Sequence, residues 1–156
     1  MTSAGPVLEP LRGWRAWQVL DDREGPRLTS WWHGTRWPAR EALEAKCHRH
    51  GGRPSPHHSC GIYAFDAAER ALEYVRSRAA APQLFQRHPS RARGIAVGVV
   101  SGWGRAVAHA HGWRSQFAYP YDLYLLDGDH ALARELSDRY AVETSPFPPT
   151  PQPRSM

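Results

Sequence analysis

At 156 residues, 41% hydrophobic and 22% charged, the chain has room for one domain with one modest core, which excludes a multidomain enzyme. A mean hydropathy of -0.62, with no apolar run near the roughly 18 residues that span a bilayer, argues against an integral membrane protein. The net charge of +5 would ordinarily raise nucleic-acid binding, but Lys46 is the only lysine beside 19 arginines, and with abundant Ala, Gly and Pro this looks like the codon bias of a high-G+C bacterial genome.

Residues 1–11 carry prolines and little apolar content, and residues 144–156 carry many prolines and almost no charge, so both ends are expected to be disordered around a folded unit of residues 12–143. Nothing at the N-terminus reads as a secretion signal, which makes the cytoplasm the expected location. Gly13 to Leu20 is an aromatic and β-branched run, closed by Asp21-Asp22 and Gly25-Pro26 and resumed at Leu28 to Trp32, the pattern of a β-hairpin. Pro38 suits the first position of a helix, with Ala39, Ala42, Leu43 and Cys47 at helical spacing. Gly61 to Phe65 is a short buried strand. Asp66 and Glu69 then open a helix to Arg78 along the stripe Ala68, Ala71, Leu72 and Val75. Ile95 to Val100, Trp103 to Ala110 and Phe117 to Leu126 read as further strands, with His111-Gly112 as a turn, and Asp129 to Tyr140 as a last helix. The expected fold class is α+β, mostly antiparallel, with about three helices.

Both cysteines and four of the nine histidines fall between Cys47 and Cys60. Cys47 and His50, and again His57 and Cys60, are separated by two residues, the knuckle spacing that closes thiolate and imidazole on a tetrahedral zinc ion. His58 could stand in for His57, and the other reading of the stretch is a polar loop with solvated histidines. A four-ligand site of this kind would be structural, with no open position for catalysis.

A second group is His33-Gly34-Thr35-Arg36 after an aromatic strand, then Gly61-Ile62-Tyr63-Ala64-Phe65, then Tyr74 near the end of a helix, then the strand from Ile95. This order resembles the NAD-binding core of ADP-ribosyltransferases of the diphtheria-toxin and poly(ADP-ribose) polymerase type, over roughly residues 29–100. The resemblance implies NAD as cofactor, with His33, Gly34 and Thr35 gripping it and Tyr63 and Tyr74 enclosing the nicotinamide. It also implies a glutamate on a later strand that steadies the oxocarbenium-like sugar. Gln116 stands in that place, with Glu143 as the other candidate. Glutamine bonds a ribose hydroxyl but brings no negative charge, so the resemblance implies binding of NAD or a related nucleotide with transfer in doubt. The wider string also resembles small proteins of high-G+C bacteria.

The rival expectation is a non-enzymatic, zinc-stapled module that recognises nucleic acid or a protein partner through its arginines and tryptophans, with Trp103 and Trp113 as stacking candidates. Gly102-Trp103-Gly104-Arg105 lacks the lysine and helix of a phosphate loop, Asp127-Gly128-Asp129 reads as a turn before a helix cap, and His109 and His111 mark a hairpin end.

Overall fold

The computed structural model describes residues 4–6, 9–31, 34–46, 53–57, 59–80, 92–127 and 129–147. In chain order the elements are β1 (Ala4–Pro6), β2 (Leu11–Asp22), β3 (Gly25–Thr29), β4 (Leu43–Glu44), β5 (Ile62–Phe65), α1 (Ala68–Ala80), β6 (Ala92–His109), β7 (Gly112–Leu125), α2 (His130–Tyr140) and β8 (Thr144–Pro146). All strand pairs are antiparallel except β7 with β8, so the fold is α+β with a mostly antiparallel sheet.

The sheet closes on itself. β2 pairs with β6, β6 with β7, β7 with β5, and β5 returns to β2, so four strands form a ring. A ring this small needs sharply curved strands, and both long strands supply curvature: β7 with the extra residue Tyr121 opposite Val99/Val100, and β6 with a register shift between Trp103 and Ala106. Two glycines permit the closest approaches: a Cβ at Gly98 would lie 2.0 Å from the Asp122 carbonyl oxygen, and one at Gly112 1.9 Å from the Ala64 carbonyl oxygen. Trp17 of β2, Leu123 of β7 and Trp37 pack with Leu132, Leu136 and Tyr140 of α2 in the main core. A second cluster, Ala16, Trp31, Ala71, Val75 and Val97, is where α1 covers part of the outer face.

Local chemistry explains most elements. The β2–β3 hairpin turns where Asp22 accepts from the Glu24 amide (2.8 Å) and pairs with Arg27, and Gly25 takes φ 122. The Asp129 side chain accepts from the Leu132 amide, capping α2, whose stripe of Leu132, Leu136 and Tyr140 is buried. The stretches expected as separate strands at Ile95 and Trp103 are one strand of 18 residues, because the Gly102–Arg105 segment bulges without leaving the ladder.

Two helices stand among the described residues, where three were expected. The helix expected from Pro38 to Cys47 does not form: Arg40 takes φ 64, and Leu43–Glu44 pairs with Phe117–Ala118 as β4. Its amide and guanidinium are held by the Tyr119 hydroxyl and by the Asp138 and Arg139 carbonyls at the end of α2, so tertiary contacts override a weak helical spacing. Cys47 itself lies outside the described residues. At the ends, β1 pairs with Val107 to Arg105 and β8 with Leu123 to Leu125, both within stretches whose composition favours disorder. Edge positions accept proline, and the Phe147 amide donates to the Leu125 carbonyl at 2.7 Å. No described helix is long and apolar enough to cross a membrane.

Candidate functional site

The loop after β3 is closed at its base. The Ser30 amide donates to the Thr35 carbonyl (2.8 Å), Thr29 bridges Arg36, and the Trp37 amide returns to the Leu28 carbonyl (2.9 Å). Gly34 sits at φ 61, and among the described residues nothing lies within 4 Å of a would-be Cβ, so on that side its backbone is open for approach. His33 lies outside the described residues.

Arg15 of β2 ties this loop to β5. Its guanidinium donates to the Tyr63 carbonyl (2.6 Å) and to the Ser30 hydroxyl (2.8 Å), and its Cζ stands 5.1 Å from the Trp37 ring centroid. Trp37 Nε1 donates to the same Ser30 oxygen at 3.0 Å. Arg15 Nε is shut off from solvent with no hydrogen-bond partner, and among the described residues no carboxylate pairs with this guanidinium. Burial holds its pKa down at about 10, an effect the nearby Tyr74 opposes. A guanidinium partly withdrawn from water and without a carboxylate partner marks a place where an anion would be welcome.

Arg114, which is buried where Arg15 is half-buried, lies directly across the ladder from Tyr63. Arg114 donates to the Cys60 carbonyl (2.6 Å) and the Ser55 carbonyl (2.7 Å), again without a carboxylate among the described residues. Tyr63 between them is 41% exposed, and its ring meets His109 at 5.6 Å. Burial, with the positive charges of Arg114 and His111 behind it, lowers the His109 pKa. No Asp or Glu occurs from Ala45 to Phe65, so the loops bordering Tyr63 add no countercharge.

The sequence-derived positions therefore divide. Gly34, Thr35 and Tyr63 are drawn together through Arg15 and Ser30. Tyr74 borders them by its contact with Trp31 (6.0 Å), but its ring is taken up by Trp31, by Phe65 (5.9 Å) and by the Arg78 guanidinium 4.1 Å from its centroid. Gln116 is engaged elsewhere: its side-chain oxygen accepts from the Arg105 amide (3.2 Å) in the β6 bulge. Glu143 stands at the opposite end of β7 from Tyr63, its carbonyl accepting from the Leu123 amide. Of the proposed zinc ligands, Cys47 and His50 lie outside the described residues, as does His58. The His57 amide donates to Ser55 Oγ (3.2 Å), and the Cys60 carbonyl is held by Arg114. Among the described residues no three His, Cys, Asp or Glu gather as a metal site.

Arg15 and Arg114 are the residues that sequence reasoning passed over. An arginine between two tryptophans of one strand, and an acid-free stretch beside it, were the available signals. No protein-family model matches the chain, and neither a curated protein nor a solved structure matches it.

Proposed function

We propose that this chain binds a nucleotide of the NAD class beside Arg15, between the 30–36 loop and Tyr63. The observation that carries the reading is the half-buried Arg15 guanidinium, which has no carboxylate partner among the described residues and joins the loop that bears Gly34 and Thr35 to the strand that bears Tyr63. A phosphate or pyrophosphate supplies the missing countercharge, and Arg15 presents the donor geometry that phosphate oxygens accept. The open Gly34 backbone allows close approach, and the exposed Tyr63 ring offers a stacking face for the nicotinamide or adenine. His33 is assigned to the same loop by sequence order.

The proposal is binding without ADP-ribosyl transfer. Transfer needs a negative group beside the developing oxocarbenium, and the Gln116 amide is uncharged and occupied by the β6 bulge, while Glu143 stands at the far end of β7. A zinc ion on Cys47, His50, His57 and Cys60 belongs to the same proposal as a structural staple in a reducing compartment such as the cytoplasm. What favours it is the Arg114 clamp, which holds the carbonyl of Ser55 before the His57–Cys60 knuckle and that of Cys60 at its end.

Titration calorimetry and thermal unfolding with NAD, ADP-ribose and nicotinamide test the reading. NAD at a hundredfold excess over its Kd stabilises by about 2.7 kcal/mol, which raises Tm by about 5–10 °C for a domain of this size. ADP-ribose should retain most of that effect, because the phosphates carry the affinity. No heat and no shift with several millimolar NAD or ADP-ribose would overturn the reading.

A further inference from the structure

Beyond α1, the outer face of β6 and β7 carries a row of aromatic rings bordered by carboxylates. The register sets Trp103 opposite Phe117, and Phe117 in turn opposite Glu44 of β4. Trp103 and Phe117 stack with centroids 6.1 Å apart, and Tyr119 follows two residues along β7 on the same face. Tyr121, the extra residue of the β7 bulge, is 51% exposed. Trp103 and Tyr119 line an open cavity of about 440 Å³ together with Glu41 and Ala42. From Phe117 to Tyr121 the row runs about 13 Å, longer than the roughly 9 Å of one polyproline II turn.

Glu41 and Glu44 are exposed, and neither they nor Asp122 beside Tyr121 join an ion pair among the described residues. The Arg40 guanidinium is held by the Asp138 and Arg139 carbonyls, and that of Arg12 lies 3.6 Å from the Tyr121 ring centroid, which leaves Arg105 exposed at the margin. Such a face suits a ligand that presents stiff apolar rings and one positive charge. This chain contains such a segment. After Phe147 it reads Pro148-Pro149-Thr150-Pro151-Gln152-Pro153-Arg154, with no Asp or Glu from Thr144 to Met156. The segment lies outside the described residues.

The row on the same chain is badly placed for this segment. β8 runs parallel to β7, so the chain passes from Leu123 towards Leu125 and away from Tyr119, and the Phe147 amide donates to the Leu125 carbonyl. Tyr119 lies about 20 Å back along β7, and the stretch from Pro148 to Arg154, about 22 Å long as polyproline II, would have to reverse at once to lie on it. Residues that precede proline are kept from the α region that most tight turns use, and Phe147, Pro148, Thr150 and Gln152 all precede one. We propose that the Pro148–Arg154 segment of a second copy of this chain docks on the aromatic row, with its proline rings against Trp103, Tyr119 and Tyr121 and Arg154 towards Glu41 and Glu44. Proline-rich ligands bind aromatic grooves at little ordering cost, because proline fixes φ in advance. Reciprocal exchange of segments closes two copies as a dimer. The surface shares no residue with the Arg15–Tyr63 site and does not depend on nucleotide binding.

Sedimentation velocity of the full chain should show a concentration-dependent dimer. Tyr121→Ala, at an exposed position, and Trp103→Ala should each weaken it by about tenfold or more, the cost of losing a central aromatic contact. Pro149→Gly combined with Pro151→Gly, which leaves every described residue in place, should do the same. Arg154→Glu should weaken the dimer by about twofold to fivefold, as loss of an exposed ion pair does. Tyr63→Ala should leave it unchanged, and an excess of a peptide of residues 148–156 should dissociate it. A monomer at every concentration up to about 1 mM, or an unchanged dimer in Tyr121→Ala or in the double proline variant, would overturn the proposal, whatever the outcome with NAD. A monomer whose Tyr121 amide resonance moves in the double proline variant would place the segment on its own chain instead.

Discussion

Replacing Arg15 by methionine separates a group kept for function from one kept for stability. At neutral pH the side chain is charged in the folded and the unfolded chain, and burial that lowers its pKa to about 10 acts against the fold by on the order of 3 kcal/mol. The substitution removes that cost. It also removes the hydrogen bonds to the Tyr63 carbonyl and the Ser30 hydroxyl, which at about 1.5–3 kcal/mol each for a charged donor offset the gain. Methionine fills a comparable volume beside Trp37. The expected net change is within about 1–2 kcal/mol, or a Tm within about 6 °C of wild type. NAD affinity, by contrast, should fall below detection, and Arg15→Lys should keep part of it because the charge stays while the planar fork is lost. Thermal unfolding and calorimetry on the same preparations read both quantities. A loss of stability above about 3 kcal/mol would identify Arg15 as a structural staple comparable to a broken buried ion pair, and full NAD affinity in Arg15→Met would remove it from the site.

Other expectations follow from the same geometry. Burial raises the Asp22 pKa, but the hydrogen bond from Arg27, the Glu24 amide and the charges of Arg27 and Arg139 outweigh it and bring the carboxyl to about 2. Its contribution, on the order of 2 kcal/mol, is therefore full above about pH 4 and lost as pH falls through about 2. Urea unfolding should show the gap between wild type and Asp22→Asn shrinking from pH 6 to pH 2, and a constant gap would contradict the ion pairing. Purified protein should carry about one zinc per chain by elemental analysis, and less than about 0.2 would remove the Cys47, His50, His57 and Cys60 staple. Gly98→Ala forces a Cβ against the Asp122 carbonyl and should cost more than about 3 kcal/mol in chemical denaturation. Gly34→Ala meets no atom of the described residues and should cost only about 1–2 kcal/mol from its left-handed backbone; equal costs at the two glycines would contradict the ring closure.

The elements with local signatures were legible in the sequence. Asp129 with the Leu132, Leu136 and Tyr140 stripe announced α2, and Asp21-Asp22 before Gly25-Pro26 announced the β2–β3 hairpin, because caps and turns are decided within a few residues. The segment after Pro38 was misread because its spacing is helical while its hydrogen bonds go to Tyr119 and the end of α2, both far away in sequence. The continuity of β6 was hidden by the glycines that make its bulge. For the site, the residue types at Gly34, Thr35 and Tyr63 could be picked out, but not the arginine that joins them. In β2, Arg15 falls where alternation allows either a solvated or an interior side chain, and only ring closure decides between them.

That closure has a kinetic side. β2 and β6 share a long ladder, whereas β2 meets β5 at a single register pair, Trp14 opposite Phe65. The Arg15 bond to the Tyr63 carbonyl crosses the same seam. Amide exchange in β5 is thus expected to report the opening of one stave, at a free energy below that of global unfolding. An anion that draws the guanidinium away from Tyr63 would unlatch this stave while tightening the 30–36 loop, so occupancy would be read as faster exchange in β5 and slower exchange in the loop.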